Sequence, residues 1–343
     1  MIMPFREVFW NIGYHSIFYS LAALASLICL WGIYRRYRLW SSGWREKLAG
    51  GFDWRAVLER VLLNASIFKG DFLGGCTHVC IMWGFLVLFL GTVMSTIDHW
   101  LFSYLRGDLY LVYAFVLDAA GAALMAGVVL AYVRRYIVKR EKMVTIARDH
   151  VVLVLLFFIA LSGFFVEGLR LLANPPAWAE PSPVGNLVAG LSGLSVPGAI
   201  AAHKVWWWAH SIASLFFIAY LPFSKLVHVL AAPVNVALEG LGSDSFLTVE
   251  EREALTSDFS FRQLVMMDAC TQCNRCTVVC PSAIAKETLA PRAIVDEAGA
   301  FVRTKSRFGV LPRGAAKKEP APKPSGSAGG PAELSKAYAV KGS

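Results

Sequence analysis

Long apolar stretches alternate with short polar connections along the first two thirds of the chain. A helix needs about 20 residues to cross a hydrocarbon core of about 30 Å. Five stretches are that long or nearly so, at residues 17–34, 79–97, 109–133, 151–172 and 205–230. The pattern predicts an all-α membrane protein with a five-helix transmembrane bundle over residues 1–239.

Lys and Arg residues are concentrated in the connections that follow the first and third stretches. Short cytoplasmic loops carry the excess of positive charge in membrane proteins. We therefore predict a multi-pass protein of the inner membrane of a bacterium, with a periplasmic N-terminus and a cytoplasmic C-terminus. These loops and a basic tail account for the net charge of +9, which leaves little support for nucleic-acid binding.

The polar segments have distinct patterns. FDWRAVLERVLLNASIF (52–68) has apolar residues at helical spacing, which predicts a helix along the cytoplasmic membrane surface. The loop 174–204 is rich in Pro, Gly and Ser and is expected to cap the outer face. A short helix is predicted from Thr248, and the Pro-, Ala- and Lys-rich residues 314–343 are expected to be disordered.

Four cysteines occur within DACTQCNRCTVVCPSA (268–283), namely Cys270, Cys273, Cys276 and Cys280. The spacing C-x2-C-x2-C-x3-C-P is typical of ferredoxins, and a zinc site is less favoured because zinc usually takes two separated ligand pairs. We predict one [4Fe-4S] cluster in a cytoplasmic ferredoxin-like segment, residues 240–313. All four thiolates could bind it, another side chain or a partner subunit could complete it, or the motif could be half of a module shared with the partner.

Seven histidines lie in or beside the apolar stretches, where ionisable residues indicate function. His210 and His228 are 18 residues apart, about five turns, which places them on one face near opposite membrane surfaces. This arrangement suits two b haems, the inner one held by His78 and His228. The outer haem would be held by His210 with His15, or with His99 as the alternative. His150 and His203 are expected to be interfacial.

Two segments resemble known families. AHSIASLFFIAYLPFSKLVHVLAAPVNVALE, especially PFSKLVH followed by PV, resembles the last transmembrane helix of the cytochrome b (gamma) subunit of respiratory nitrate reductase. His210 and His228 match its haem-ligand positions there, and His78 matches the inner ligand on the second helix, although LFLGTVMST (88–96) lacks the second histidine of that helix. The segment CTQCNRCTVVCPSAIAKETLAPRAIV resembles the first ferredoxin motif of iron–sulfur subunits related to heterodisulfide reductase.

The resemblance implies an electron-transfer subunit of a respiratory oxidoreductase complex. Electrons would pass between menaquinone near the outer haem, the inner haem, the cluster and a cytoplasmic heterodisulfide reductase-like iron–sulfur subunit. A periplasmic multihaem cytochrome c would be a second partner. Asp118 and Glu167, which lie within the third and fourth stretches, are candidate proton acceptors at the quinone site. The competing hypotheses are a structural anchor without haems and a transporter or redox sensor with an iron–sulfur tail.

Overall fold

The computed structural model describes residues 3–43, 52–138, 147–238, 259–285 and 290–305, and within these ranges every element is helical. In chain order the helices are α1 (His15–Trp40), α2 (Trp54–Ala56), α3 (Ala65–Gly70), α4 (Phe72–Trp100), α5 (Asp108–Tyr132), α6 (Ala147–Ala173), α7 (Pro183–Leu191), α8 (Val196–Tyr220), α9 (His228–Ala237), α10 (Phe261–Ala269), α11 (Arg275–Val278), α12 (Pro281–Ile284) and α13 (Pro291–Lys305). The helix predicted from Thr248 and the tail 314–343 lie outside the described residues.

Four helices are long and apolar enough to cross a membrane: α1, α4, α6 and α5 with its π-helical continuation to Ile137. The pair formed by α8 and α9 passes the same test as one bent span. The prediction of an all-α, multi-pass membrane protein is thus confirmed.

Glycines allow the closest packing within the bundle. A side chain at Gly84 of α4 would lie 2.9 Å from the carbonyl oxygen of Ala120 and from Leu124 of α5. A side chain at Gly91 of α4 would likewise collide with the side chain of Leu117 of α5. Small residues at a helix interface let two backbones approach each other inside a membrane.

The last predicted span is not one straight helix, as the stretch 205–230 had indicated. Helix α8 begins at Val196, and the chain bends by 75° between its 3₁₀ continuation, Leu221–Phe223, and Lys225–Ala237. At the bend Ser224 is extended (φ −114°, ψ −178°), and its side chain accepts a hydrogen bond from the N–H of Leu226, which starts the next helical turn. Pro222 provides no N–H for the helix ladder. The expectation that His210 and His228 share one face over five regular turns is therefore wrong.

The two ends of the bundle differ in what covers them. The N-terminal end consists of residues 3–14, 101–107 and 174–195, and the cysteine end consists of 52–71, 134–138 and 224–305 as far as the structure describes them. At the cysteine end, α10 and α13 pack on the end of α1 and on α9 around a buried apolar cluster of Leu39, Trp40, Ala231, Leu264, Val265, Met267 and Val302. The cysteine-containing segment is thus attached to the bundle.

The amphipathic segment 52–68 also lies at the cysteine end. In place of the single predicted surface helix it forms α2, a π turn over Val57–Leu62 and the start of α3. Asn64 interrupts it in the left-handed conformation, with φ of 54°.

Candidate functional site

His78 of α4 and His228, the first residue of α9, lie close enough for their charges to interact. The Nδ1 atom of His78 is buried and has no hydrogen-bond partner among the described residues. The structure therefore brings together the two histidines predicted to form the inner pair. Their role as haem ligands stays a prediction.

Two of the candidate histidines have their Nδ1 atoms fixed by backbone carbonyls. His228 Nδ1 is 2.7 Å from the oxygen of Lys225, and His210 Nδ1 is 3.1 Å from the oxygen of Ile159 and 3.0 Å from Ser162 Oγ. A carbonyl oxygen only accepts, so Nδ1 donates and the lone pair of the neutral ring lies on Nε2. Metal-bound histidines commonly show this arrangement, which orients the ring.

His15 and His99 meet at the N-terminal end around the ring of Phe9. The ring centroid of Phe9 lies 4.4 Å from that of His15 and 5.7 Å from that of His99. His15 Nε2 donates a hydrogen bond of 2.8 Å to the oxygen of Ile12. His210 points towards α6, and the described residues show no hydrogen bond or ring contact between His210 and either of these histidines.

His203 is buried, contrary to the expectation of an interfacial residue. Its exposed fraction is 2%, its ring packs 4.9 Å from that of Trp10, and its Nδ1 has no hydrogen-bond partner in the described part of the chain. His203 is seven residues before His210 on α8, about 10.5 Å along the helix, which is too far for both rings to ligate one iron. In the sequence, the spacing of seven residues already indicated that His203 and His210 lie on the same face of one helix.

Three charged residues act on His203. Arg6, Arg170 and Glu167 interact with it electrostatically. Burial disfavours the charged form of Arg6, but Glu167 and two tyrosines outweigh this effect, so that the pKa of Arg6 is raised and the residue remains a cation.

The two predicted proton acceptors are engaged in structural contacts. Asp118 accepts hydrogen bonds from the backbone N–H groups of Val184 (3.0 Å) and Gly185 (3.2 Å), at the start of α7. A carboxylate at a helix N-terminus stabilises that helix. Glu167 accepts a hydrogen bond of 2.9 Å from Arg170 and a longer one of 3.4 Å from Ser182 Oγ. Of the two, Glu167 also acts electrostatically on Arg6 and His203.

The four cysteines of the motif lie within residues 270–280, here called the cysteine loop, which run from the end of α10 through α11 to the start of α12. Cys273 and Cys276 are exposed, Cys270 and Cys280 are partly buried, and none of them forms a disulfide. Gln272 and Asn274, on either side of Cys273, have left-handed backbone conformations with φ of 60° and 64°. No three His, Cys, Asp or Glu side chains of the described residues converge enough to hold a single metal ion. In a [4Fe-4S] cluster each thiolate ligates a different iron. Four thiols within one short segment provide donors of this kind.

A buried polar network ties this loop to the bundle. The carboxylate of Asp268, two residues before Cys270, accepts hydrogen bonds from Arg36 Nη1 (3.0 Å) and Trp40 Nε1 (2.9 Å) and pairs with Arg303 at 3.6 Å. Arg36 Nε also donates to the oxygen of Pro222 at 3.0 Å. One guanidinium therefore connects α1, the bend of the last span and the cysteine segment.

The cysteine loop lies at the same end of the bundle as the histidine pair. Arg275, which lies between Cys273 and Cys276, interacts electrostatically with His78. Gln272 donates a hydrogen bond to Asp296 of α13, which braces the loop from the other side. The two candidate cofactor sites therefore share the cysteine end of the bundle.

The structure is thus a helical membrane bundle with two oriented histidine rings and a ferredoxin-type cysteine motif. Residues 75–240, which include His78, His210 and His228, match the family model of the nitrate reductase gamma subunit. Residues 75–240 therefore form a domain of the nitrate reductase gamma type.

Curated relatives agree with this assignment. The chain is 29% identical over 308 residues to the EtfAB:quinone oxidoreductase of Syntrophomonas wolfei, which covers 82% of this chain and 42% of the relative. It is 25% identical over 259 residues to one subunit of the dihydromethanophenazine:CoB–CoM heterodisulfide reductase of Methanosarcina thermophila, covering 62% of this chain and 88% of the relative. It is 30% identical over 109 residues to the Hdr-like menaquinol oxidoreductase cytochrome b-like subunit of Archaeoglobus fulgidus, covering 32% of each.

The chain spans less than half of the length of the relatives that match most of it. No solved structure matches it significantly.

Proposed function

We propose that this chain is the membrane electron-transfer subunit of a redox complex, and that it exchanges electrons between the menaquinone pool and a soluble iron–sulfur protein. The names of its relatives, which include a quinone oxidoreductase and a menaquinol oxidoreductase subunit, support this function. When bound, b haems and a [4Fe-4S] cluster supply the one-electron chemistry that the side chains themselves cannot.

The observation that carries the proposal is the grouping of His78, His228 and Arg275 at one end of the bundle. His78 and His228 would hold the inner haem, with the Nδ1 of His228 fixed by the oxygen of Lys225. Cys270, Cys273, Cys276 and Cys280 would hold the cluster beside them. A histidine pair and a cysteine loop at one end of the bundle would let electrons pass between the membrane and that end.

A second haem would be held at the other end by His210 and His15, with His99 as the alternative to His15. The oriented ring of His210 supports this part of the proposal. Ligation by His15 through Nε2 would replace its hydrogen bond to Ile12. Quinone would bind at this same end, where Glu167 is the better placed of the two candidate proton acceptors.

The orientation follows from the charge of the loops. The cysteine end would face the cytoplasm of a bacterium and the N-terminal end the periplasm, because Lys and Arg are concentrated at the cysteine end. The cytoplasmic partner would be a heterodisulfide reductase-like iron–sulfur protein that docks near the exposed Cys273 and Cys276. A periplasmic multihaem cytochrome c would be the partner at the opposite end.

Reduction by a quinol tests the function. The purified chain is mixed with a soluble menaquinol analogue under anaerobic conditions, and its visible spectrum and the reduction of a soluble electron acceptor are followed. We expect the spectrum of reduced haem b and electrons on the acceptor in the wild type. A chain without haem absorbance that still binds its complex would instead be a structural anchor.

A further inference from the structure

The N-terminal segment closes over the end of the bundle and covers His203. Asn11 Nδ2 donates a hydrogen bond of 2.8 Å to the oxygen of Ile200 on α8, and Gly107 N–H donates one of 2.9 Å to the oxygen of Pro4. Trp10 of this segment packs against the ring of His203. The segment therefore shields His203 of α8 from solvent.

Three buried nitrogen atoms at this end have no hydrogen-bond partner among the described residues: His203 Nδ1, Arg170 Nε and Trp178 Nε1. Trp178 packs near Tyr110 and Tyr113, and both tyrosines interact with Arg6, which also acts on His203. Buried polar groups are almost always hydrogen-bonded, because leaving them unpaired is costly. Such a group of unpaired atoms points to a ligand that has hydrogen-bonding atoms of its own.

The charges around the site compensate each other. Facing His203 are Arg170 and Glu167 of α6, which form an ion pair, and Arg6 of the N-terminal segment. Asp118 of α5, held by the N-terminus of α7, acts electrostatically on Glu167 and adds a second carboxylate at this end. Because the two guanidinium groups are balanced by two carboxylates, these charges favour an uncharged ligand. The indole rings of Trp10 and Trp178 favour a ligand that is flat and apolar.

We propose that the headgroup of a quinone binds at this end of the bundle beside Trp10 and His203, and that His203 Nδ1 forms a hydrogen bond with one of its two oxygens. This inference rests on the proposed function and assigns its quinone site to particular residues. A histidine nitrogen can donate to a quinone carbonyl or accept from a quinol hydroxyl, depending on its tautomer. The same residue therefore serves both redox forms of the ligand.

Binding of a fluorescent hydroxyquinoline N-oxide, a quinone analogue, tests the assignment. It is titrated by fluorescence quenching into the full chain in detergent, with the variants His203→Phe, His203→Gln and His150→Gln. Loss of one hydrogen bond in His203→Phe is expected to weaken binding about tenfold. His203→Gln keeps a polar group and is expected to bind nearly as well as the wild type. His150→Gln, exposed at the other end of the bundle, is the control and is expected to be unchanged.

A second measurement on the wild type makes the test independent of how the variants fold. A photoreactive azidoquinone is crosslinked to the chain, and the labelled peptides are identified by mass spectrometry. We expect label in residues 3–14 and 196–210. Unchanged binding by folded His203→Phe, or label confined to the cysteine end, would overturn this inference and leave the proposed function standing. A wild type that neither binds the analogue nor is reduced by menaquinol would overturn the proposed function itself.

Discussion

Arg36 and Asp268 form an ion pair of 3.0 Å between side chains that are each only 2% exposed. The two residues are 232 positions apart, on α1 and α10. Because Arg36 also donates to Pro222 at the bend, the pair fixes the cysteine segment against the part of the last span that leads to His228. The relative position of the two candidate cofactor sites therefore depends on this contact.

Removing either charge of this pair should destabilise the cysteine end. Arg36→Met leaves the carboxylate of Asp268 buried with fewer partners, and breaking a buried pair costs about 3–5 kcal/mol. We expect faster limited proteolysis of the segment 259–305 and a lower midpoint of thermal unfolding.

The matched control is Arg55→Met, which removes an exposed Arg–Glu pair at the same end of the bundle. It should leave both measurements nearly unchanged, since exposed pairs contribute little. Equal sensitivity of the two variants would contradict the role assigned to Arg36.

The stability of the bend should depend on the side chain of Ser224, which caps the helical turn that follows it. Ser224→Ala removes the hydrogen bond that the hydroxyl accepts from Leu226 N–H, which costs about 0.5–2 kcal/mol. Ser192→Ala is the control, because the hydroxyl of Ser192 donates only to the oxygen of Ala189 on its own helix turn. Thermal unfolding in detergent should show a loss of stability for the first variant alone, and an equal loss in both would argue against capping.

The packing of α4 on α5 should not tolerate a side chain at Gly84. Gly84→Ala places a methyl group 2.9 Å from the backbone of Ala120 and of Leu124, and overpacking of this kind costs about 1–3 kcal/mol. Gly190→Ala, where nothing lies within 4 Å, is the control. We expect reduced thermal stability only in Gly84→Ala. If both variants were as stable as the wild type, the close packing of α4 on α5 at Gly84 would be contradicted.

Iron analysis tests the assignment of the cysteines. Cys273→Ser should lose the acid-labile sulfide and most of the non-haem iron, because thiolate ligands hold the cluster. Cys29→Ser, in the middle of α1, should retain both. Retention of the full iron and sulfide content in Cys273→Ser would contradict ligation by this residue.

The sequence predicted the membrane helices well because their signal is local. Long apolar stretches determine which residues form α1, α4, α5 and α6, and this assignment does not depend on contacts between distant parts of the chain. The bend at Ser224 could not be predicted in the same way, since apolar residues continue on both sides of the polar pair Ser224 and Lys225, and the extended conformation of one residue interrupts the helix.

The contacts that depend on the tertiary fold were missed. Arg36 follows the first apolar stretch, 17–34, and was therefore expected in the connection after it, but it is buried on α1 because Asp268 reaches it from the other end of the chain. His203 was expected at the interface, and it is buried because the N-terminal segment places Trp10 over it. Hydrophobic patterning reports the face of a helix but not what a distant segment places against that face.

The most direct test of the proposed electron path is the haem content of the purified chain in wild type, His78→Ala, His228→Ala and His150→Ala. We predict haem b in the wild type, loss of the same haem in both His78→Ala and His228→Ala, and no loss in His150→Ala. A wild type without haem, or full haem content in either of the first two variants, would contradict the assignment of this pair.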